Sequence, residues 1–331
     1  MIKLYTTGTQ APVGVVERHE WQQGEQHVHA GIVYRDGDRV SGAPISVTGT
    51  RKPTNRLHLF RKLQPLLEPR HYWHDRCIFF DGCHITGQAK SALFTRCIFF
   101  GSIGLHLANN PGGPVIVDRC RFKRNKDYGI YGAAEGFGLL NSKITGPGSG
   151  HAHGLRIAGG QDVCIQRSTC WLKRAFTSFT LCDGINAGGV PRYVFRHGSI
   201  VNCRSNRGGL RPHIAVAPQN PVAAANGAKV QCVDIIGNKI KSDDISWRGI
   251  VLCADRVNIM DNTLDCGPEV RTNALGDTFY KSRYGPVKVA AAGITRGHIH
   301  LREMAGAKAS NLFIVGNVFK GSCKPVEGRQ G

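Results

Sequence analysis

Acid is scarce in this sequence. The chain carries 23 Asp and Glu against 43 Lys and Arg, a formal charge of +20, and no acid at all lies between Gly184 and Cys232. That balance predicts affinity for polyanions: nucleic acid, acidic polysaccharide or an acidic protein neighbour. Long apolar runs are missing as well. No stretch approaches the ~18 residues of a membrane span, so no membrane partner is expected. Met1-Ile2-Lys3-Leu4-Tyr5-Thr6-Thr7 has no apolar core followed by a cleavage site; no signal peptide is read there, and cytoplasmic synthesis is expected. No Cys-x-x-Cys pair occurs among the 12 cysteines, which argues against zinc, and the missing signal argues against a disulfide framework. Aromatics are modest at 8% while glycine reaches 42, a mix that suits many short strands joined by tight turns.

What is present is a small recurring turn. Arg76-Cys77-Ile78-Phe79-Phe80 returns almost unchanged as Arg96-Cys97-Ile98-Phe99-Phe100 and again as Arg119-Cys120-Arg121-Phe122. The looser pattern of a small residue followed, two positions on, by an apolar one continues at Asn141-Ser142-Lys143-Ile144, Arg167-Ser168-Thr169-Cys170 and His197-Gly198-Ser199-Ile200. It recurs at Gly237-Asn238-Lys239-Ile240, Asp261-Asn262-Thr263-Leu264 and Gly316-Asn317-Val318-Phe319. Spacings near twenty residues, stretched later by insertions, indicate a solenoid. A second signal follows several turns: Gly104-Leu105-His106-Leu107, Gly154-Leu155-Arg156-Ile157 and Gly249-Ile250-Val251-Leu252, with Gly129-Ile130-Tyr131 a partial copy. Strand alternation buries the Leu and Ile and turns the residue after them outward. Cysteines at equivalent turns are read as stacked, buried thiols. Cys164, Cys170, Cys182, Cys203, Cys232, Cys253 and Cys266 are assigned the same interior role, and Cys323 is expected at the surface.

These turns and the Asn and Cys ladder they form resemble the right-handed parallel β-helix of the pectate-lyase-like superfamily, a fold also used by phage tailspikes. The resemblance implies an all-β, right-handed parallel β-helix solenoid over 73–323. A small N-terminal cap or attachment segment is expected at 1–72, and a flexible tail at 324–331. Within the cap, a hairpin signal at Asp36-Gly37-Asp38 and a short helix over Asn55 to Leu63 are predicted. Excursions near 205–229 and 267–297 are read as loops leaving the coil.

Three candidate sites emerge. His106, Tyr131 and Arg156 are the outward residues of successive signals, so on consecutive coils they line one surface. β-Elimination of a uronic-acid polymer needs a cation on the carboxylate, a base for the C5 proton and an acid for the leaving oxygen, which these three types supply. Arg119, Arg121, Lys123, Arg124, Arg204, Arg207 and Arg211 are assigned to binding of the acidic substrate. His-x-His occurs at His27/His29, His151/His153 and His298/His300. Residues i and i+2 share a strand face, so a metal ion is considered, with His298 and His300 chosen. Phage spikes resemble this in holding a metal on a threefold axis through His-x-His.

Hydrolysis fits less well. It needs two carboxylates flanking one bond. The Asp243-Asp244 pair, with Asp183, Asp255 and Asp261 elsewhere, does not match the motif order of polygalacturonases. Nucleic acid ranks lower, because few aromatics neighbour the arginines of 184–232 beyond Tyr193 and Phe195. The expected function is engagement of an acidic glycan on the outer face with lyase-type cleavage. The alternative is a non-catalytic structural virion protein (spike, fibre or decoration), acting as a homotrimer or with other virion proteins.

Overall fold

The computed structural model describes residues 17–23, 26–33, 39–41, 70–79, 82–85, 89–107, 114–146, 153–172, 177–185, 188–206, 212–241, 249–266, 270–272, 274–275, 278–282, 285–288, 297–321 and 323–328. Short runs of alternating apolar residues cannot bury their inner side alone, so the chain stacks them. The result is a solenoid of parallel strands with three faces. Face C is a nine-stranded sheet of short strands, from Ile78–Phe79 through Arg121–Lys123 and Lys239–Lys241 to Val318–Lys320. Faces A and B belong to one 18-stranded sheet, because the long strands Tyr128–Glu135 and His153–Gln166 run across both. Each coil passes from B through a tight turn to C, then to A, then back to B.

The B-to-C turn is the motif that recurs in the sequence. Its first residue is left-handed in every copy: Arg76, Arg96, Arg119, Asn141, Arg167, Asn202 and Asp261 have φ between 47° and 56°, and Gly237 and Gly316 have 64° and 67°. The small residue that follows points inward and carries the ladder. Cys97 N–H donates to Cys120 Sγ (3.3 Å), Cys120 N–H to Ser142 Oγ (3.0 Å) and Ser142 N–H to Ser168 Oγ (3.1 Å). Further on, Cys203 N–H donates to Asn238 Oδ1 (2.8 Å), and Asn238 and Asn262 each donate both backbone N–H and Nδ2 to the next asparagine, Asn317 being the last. One copy differs from the expected register. Asn202-Cys203-Arg204-Ser205 occupies the rung assigned to His197-Gly198-Ser199-Ile200, which lies within the face B strand Phe195–Val201. His197 is left-handed for another reason: it sits where the chain bends from A to B, in line with Gly136, Asp162, Cys232, Arg256 and Asn311.

The interior is one continuous apolar column. Phe79, Phe99 and Phe122 stack face to face at 4.8 and 4.6 Å, the spacing of the rungs themselves. Across from them the glycine of the second signal is required by space. A Cβ on Gly129 would lie 2.5 Å from Gly154 O and 2.9 Å from Ile144 Cγ2. Where face C supplies the smaller Cys170 and Ser205, the same column holds Ser178 and His213 instead, with Ser205 Oγ 2.7 Å from Ser178 Oγ and 2.6 Å from His213 Nδ1. Most cysteines are buried thiols, as expected. Cys164 and Cys232 are only half-buried, because the A-to-B bend changes which residues face in. Cys323 is buried rather than exposed, within the core beside Cys266.

Excursions leave the coil at its corners. The first is partly coil: Arg204–Asn206 and Ile214–Val216 are rungs, and the short helix Pro221–Ala225 follows, capped by Asn220. The second contains a three-stranded antiparallel sheet of Val270–Thr272, Thr278–Ser282 and Gly285–Lys288. Glu17–Gln23 and Gln26–Val33 pair antiparallel, and Arg39–Ser41 adds in parallel to Arg70–Asp75. The hairpin signal at Asp36-Gly37-Asp38 and the helix over 55–63 lie outside the described residues. Lys324–Glu327, the start of the expected tail, is a strand paired with Gly297–Leu301.

Candidate functional site

The outward column of face A follows from the register. His84, His106, Tyr131, Arg156, Thr180, Ala215, Val251, His300 and Glu327 are successive pairing partners. His106, Tyr131 and Arg156 therefore stand on three consecutive rungs, as the sequence leads one to expect. The His106 and Tyr131 rings are parallel within 11° with centroids 5.6 Å apart, and the Arg156 guanidinium carbon lies 6.0 Å from the Tyr131 ring centre.

A neighbouring column closes one side. Tyr128 pairs with His153, their rings stack at 5.6 Å, and Tyr128 also lies 4.6 Å from Tyr131. His153 Nδ1 is 2.9 Å from Thr180 Oγ1, which ties the two columns together. Tyr128, His153 and Thr180 were not selected from the sequence. Their signal is present there: Tyr128 and His153 each immediately precede the glycine of a Gly-[Leu/Ile]-x repeat. His153 is buried at the edge of face A.

Burial sets the charge state of these groups. It lowers the His106 pKa below the usual imidazole value, so the ring is neutral at pH 7. It raises the Tyr131 pKa, with Arg156 opposing, so the phenol keeps its proton. Arg156 remains charged, and its Nε is buried with no partner among the described residues. Asp183, at the end of the next strand, is fully buried. Gln219 N–H donates to its Oδ1 (2.7 Å), and Oδ2 has no partner among the described residues. Burial raises its pKa, against the pull of the Gln219 bond and the Arg156 charge. Along the column stand the charged Arg156, the Tyr131 phenol with its proton and the neutral His106 imidazole.

No protein-family model matches this chain, and neither curated proteins nor solved structures give a match. No relative lends it an activity. Its chemistry rests on its own side chains.

The basic residues assigned to substrate lie elsewhere. Arg121, Lys123 and Arg204 point out from face C, and Arg119 stands in the B-to-C turn, 3.6 Å from Asp118. Arg124 is exposed at the bend that follows face C. Arg207 and Arg211 lie outside the described residues. The basic group and the His106–Tyr131–Arg156 column therefore occupy different faces. The proposed metal pair also separates. His298 is buried in the column of Gly249 and His213, because two successive residues turn inward there, whereas His300 faces out with Nδ1 3.2 Å from Glu327 Oε2. Among the described residues no three metal-ligating side chains come together. Asp243 and Asp244 lie outside the described residues, as does His151; of His27 and His29 only the strand pairing is described.

Proposed function

We propose that this chain is a right-handed parallel β-helix of the pectate-lyase-like kind, and that face A binds an acidic polysaccharide and cleaves it by β-elimination. One observation carries the reading: a desolvated arginine, a protonated tyrosine and a neutral histidine on three consecutive rungs. A polymer lying along the solenoid would meet them in order at ~4.8 Å steps. Arg156 pairs with a uronate carboxylate and acidifies the C5 proton. His106 accepts that proton, the C4–O4 bond breaks as the C4–C5 double bond forms, and the Tyr131 hydroxyl protonates the departing oxygen. Proton return from His106 to Tyr131, through solvent, restores the site.

A panel of polyuronates tests this. The expected product is an unsaturated oligouronate with strong ultraviolet absorbance, and hydrolytic products without the double bond count against it. The rival, a non-catalytic structural virion protein assembled as a homotrimer, draws support from Phe313, Val315 and Val318, exposed by 55%, 47% and 50% on the last coil. A trimer in light scattering, with no product from any polyuronate, favours that reading.

A further inference from the structure

Face C carries a second feature, independent of the face A reading. Its outward positions form two columns. One runs Arg121, Lys143, Thr169, Arg204, Lys239, Thr263; the other runs Lys123, Thr145, Trp171, Asn206, Lys241, Asp265, Lys320. At the Thr169–Trp171 rung, where neither column has a cation, Arg167 of the adjoining turn supplies one; the Thr263–Asp265 rung has none. Arg167 does so from a left-handed φ of 47°, a conformation that glycine takes at the equivalent residues 237 and 316. Among the described residues none of Arg121, Lys143, Arg167, Arg204, Lys239 or Lys241 pairs with a carboxylate.

Side-chain chemistry narrows the ligand. Eight cations, against the single acid Asp265, fall within six rung steps, roughly 29 Å. A phosphate backbone needs only such cations, whereas the hydroxyls of a glycan need carboxylate and amide partners, of which this face offers Asp265 and Asn206. The width agrees: strands of three residues give a flat band ~10 Å across, which fits one strand and has nothing to enter a duplex groove. Trp171, 40% exposed, stands among the cations with Lys143 Nζ 5.7 Å from its ring centre. Beyond it the face is hollowed between Arg204, Asn206, Lys241, Asp265 and Lys320. An aromatic platform beside a run of cations is how sequence-tolerant single-strand binders work.

We propose that face C is a track for single-stranded nucleic acid, with phosphates on the two cation columns and a base stacked on Trp171. The sequence ranks this partner low because Trp171 is far along the chain from most of the cations that surround it.

The test is fluorescence anisotropy of the full chain with a labelled oligothymidylate of about ten nucleotides, titrated at several salt concentrations. Affinity is expected to fall with salt with a log–log slope of about −3 to −5, each contact contributing ~0.7. The exposed double variant Arg204→Glu/Lys239→Glu is expected to weaken binding at least tenfold and flatten the slope. Trp171→Ala is expected to weaken it about tenfold without changing the slope. Arg156→Ala, on face A, should leave it unchanged. Circular dichroism checks the fold, with Lys143→Gln read by its slope should the double variant not fold. Equal competition by polygalacturonate at matched charge, a preference for duplex, or binding indifferent to all the face C changes would overturn the proposal.

Discussion

Tyr131 and Arg156 are direct partners in a parallel register, and the guanidinium carbon of Arg156 lies 6.0 Å from the centre of the Tyr131 ring. The pairing places a cation against the aromatic face, and the guanidinium also bonds the Cys182 side chain. Lysine keeps the charge but not the planar guanidinium fork. Arg156→Lys is therefore expected to cut kcat/KM on a polyuronate by about 10²-fold, and Arg156→Ala by more. Steady-state kinetics on folded variants, checked by thermal melting, reads both. Equal activity in all three proteins removes Arg156 from the chemistry.

The state of His106 gives a pH signature. Its pKa lies below the ordinary value of 6.5, and the reaction needs the neutral ring. As pH falls, neutral imidazole is lost on passing through the lowered pKa, so the acid limb of kcat/KM should have its midpoint below pH 6.5. His106→Gln should lose about 10²-fold or more and lose that acid limb too. A limb that survives the substitution belongs to another group.

The ladder predicts stability in a graded way. Asn262 is fully buried and receives both the backbone N–H and the Nδ2 of Asn238 while donating to Ile235 O. Asn262→Ala leaves those donors and that acceptor without partners and is expected to cost about 3 kcal/mol. Asn317→Ala, at the half-exposed end of the ladder, should cost less, because water reaches that rung. Urea unfolding compares the two.

A pH-dependent part of stability comes from His213. Buried in the core with Nδ1 on Ser205, it has its pKa pushed down to about 4 by burial. The unfolded residue titrates near ~6.5, so between these values the unfolded chain binds more protons. Stability should fall as pH drops from ~6.5 toward ~4, by up to about 3 kcal/mol. Urea unfolding of wild type and His213→Asn at pH 7 and pH 4.5 isolates the contribution. An identical pH effect in both proteins assigns the loss to other groups.

The coil and its outward column were legible because both signals are local. A small residue after a left-handed turn, and a glycine before an apolar pair, recur within a few residues of chain. The one misplaced rung shows the limit of such signals. His197-Gly198 and Asn202-Cys203 both follow a left-handed residue with a small one, and only pairing with Ser168 and Asn238 on the neighbouring rungs distinguishes the turn from the A-to-B bend. The same bend explains the half-buried Cys164 and Cys232. Alternation puts His298 on the same face as His300, and it fails where His298 and Ile299 turn inward together. The face C columns were illegible for a different reason: their members are separated by insertions of unequal length, so no spacing in the chain announces that Lys143, Trp171 and Arg204 share a surface.

The most direct measurement for the central claim is continuous ultraviolet absorbance during incubation of the wild-type chain and Arg156→Ala with a polyuronate. Steady formation of unsaturated uronate by the wild type and near-complete loss in the variant are expected, with both proteins equally folded. No product from any polyuronate, or undiminished product from Arg156→Ala, would contradict it.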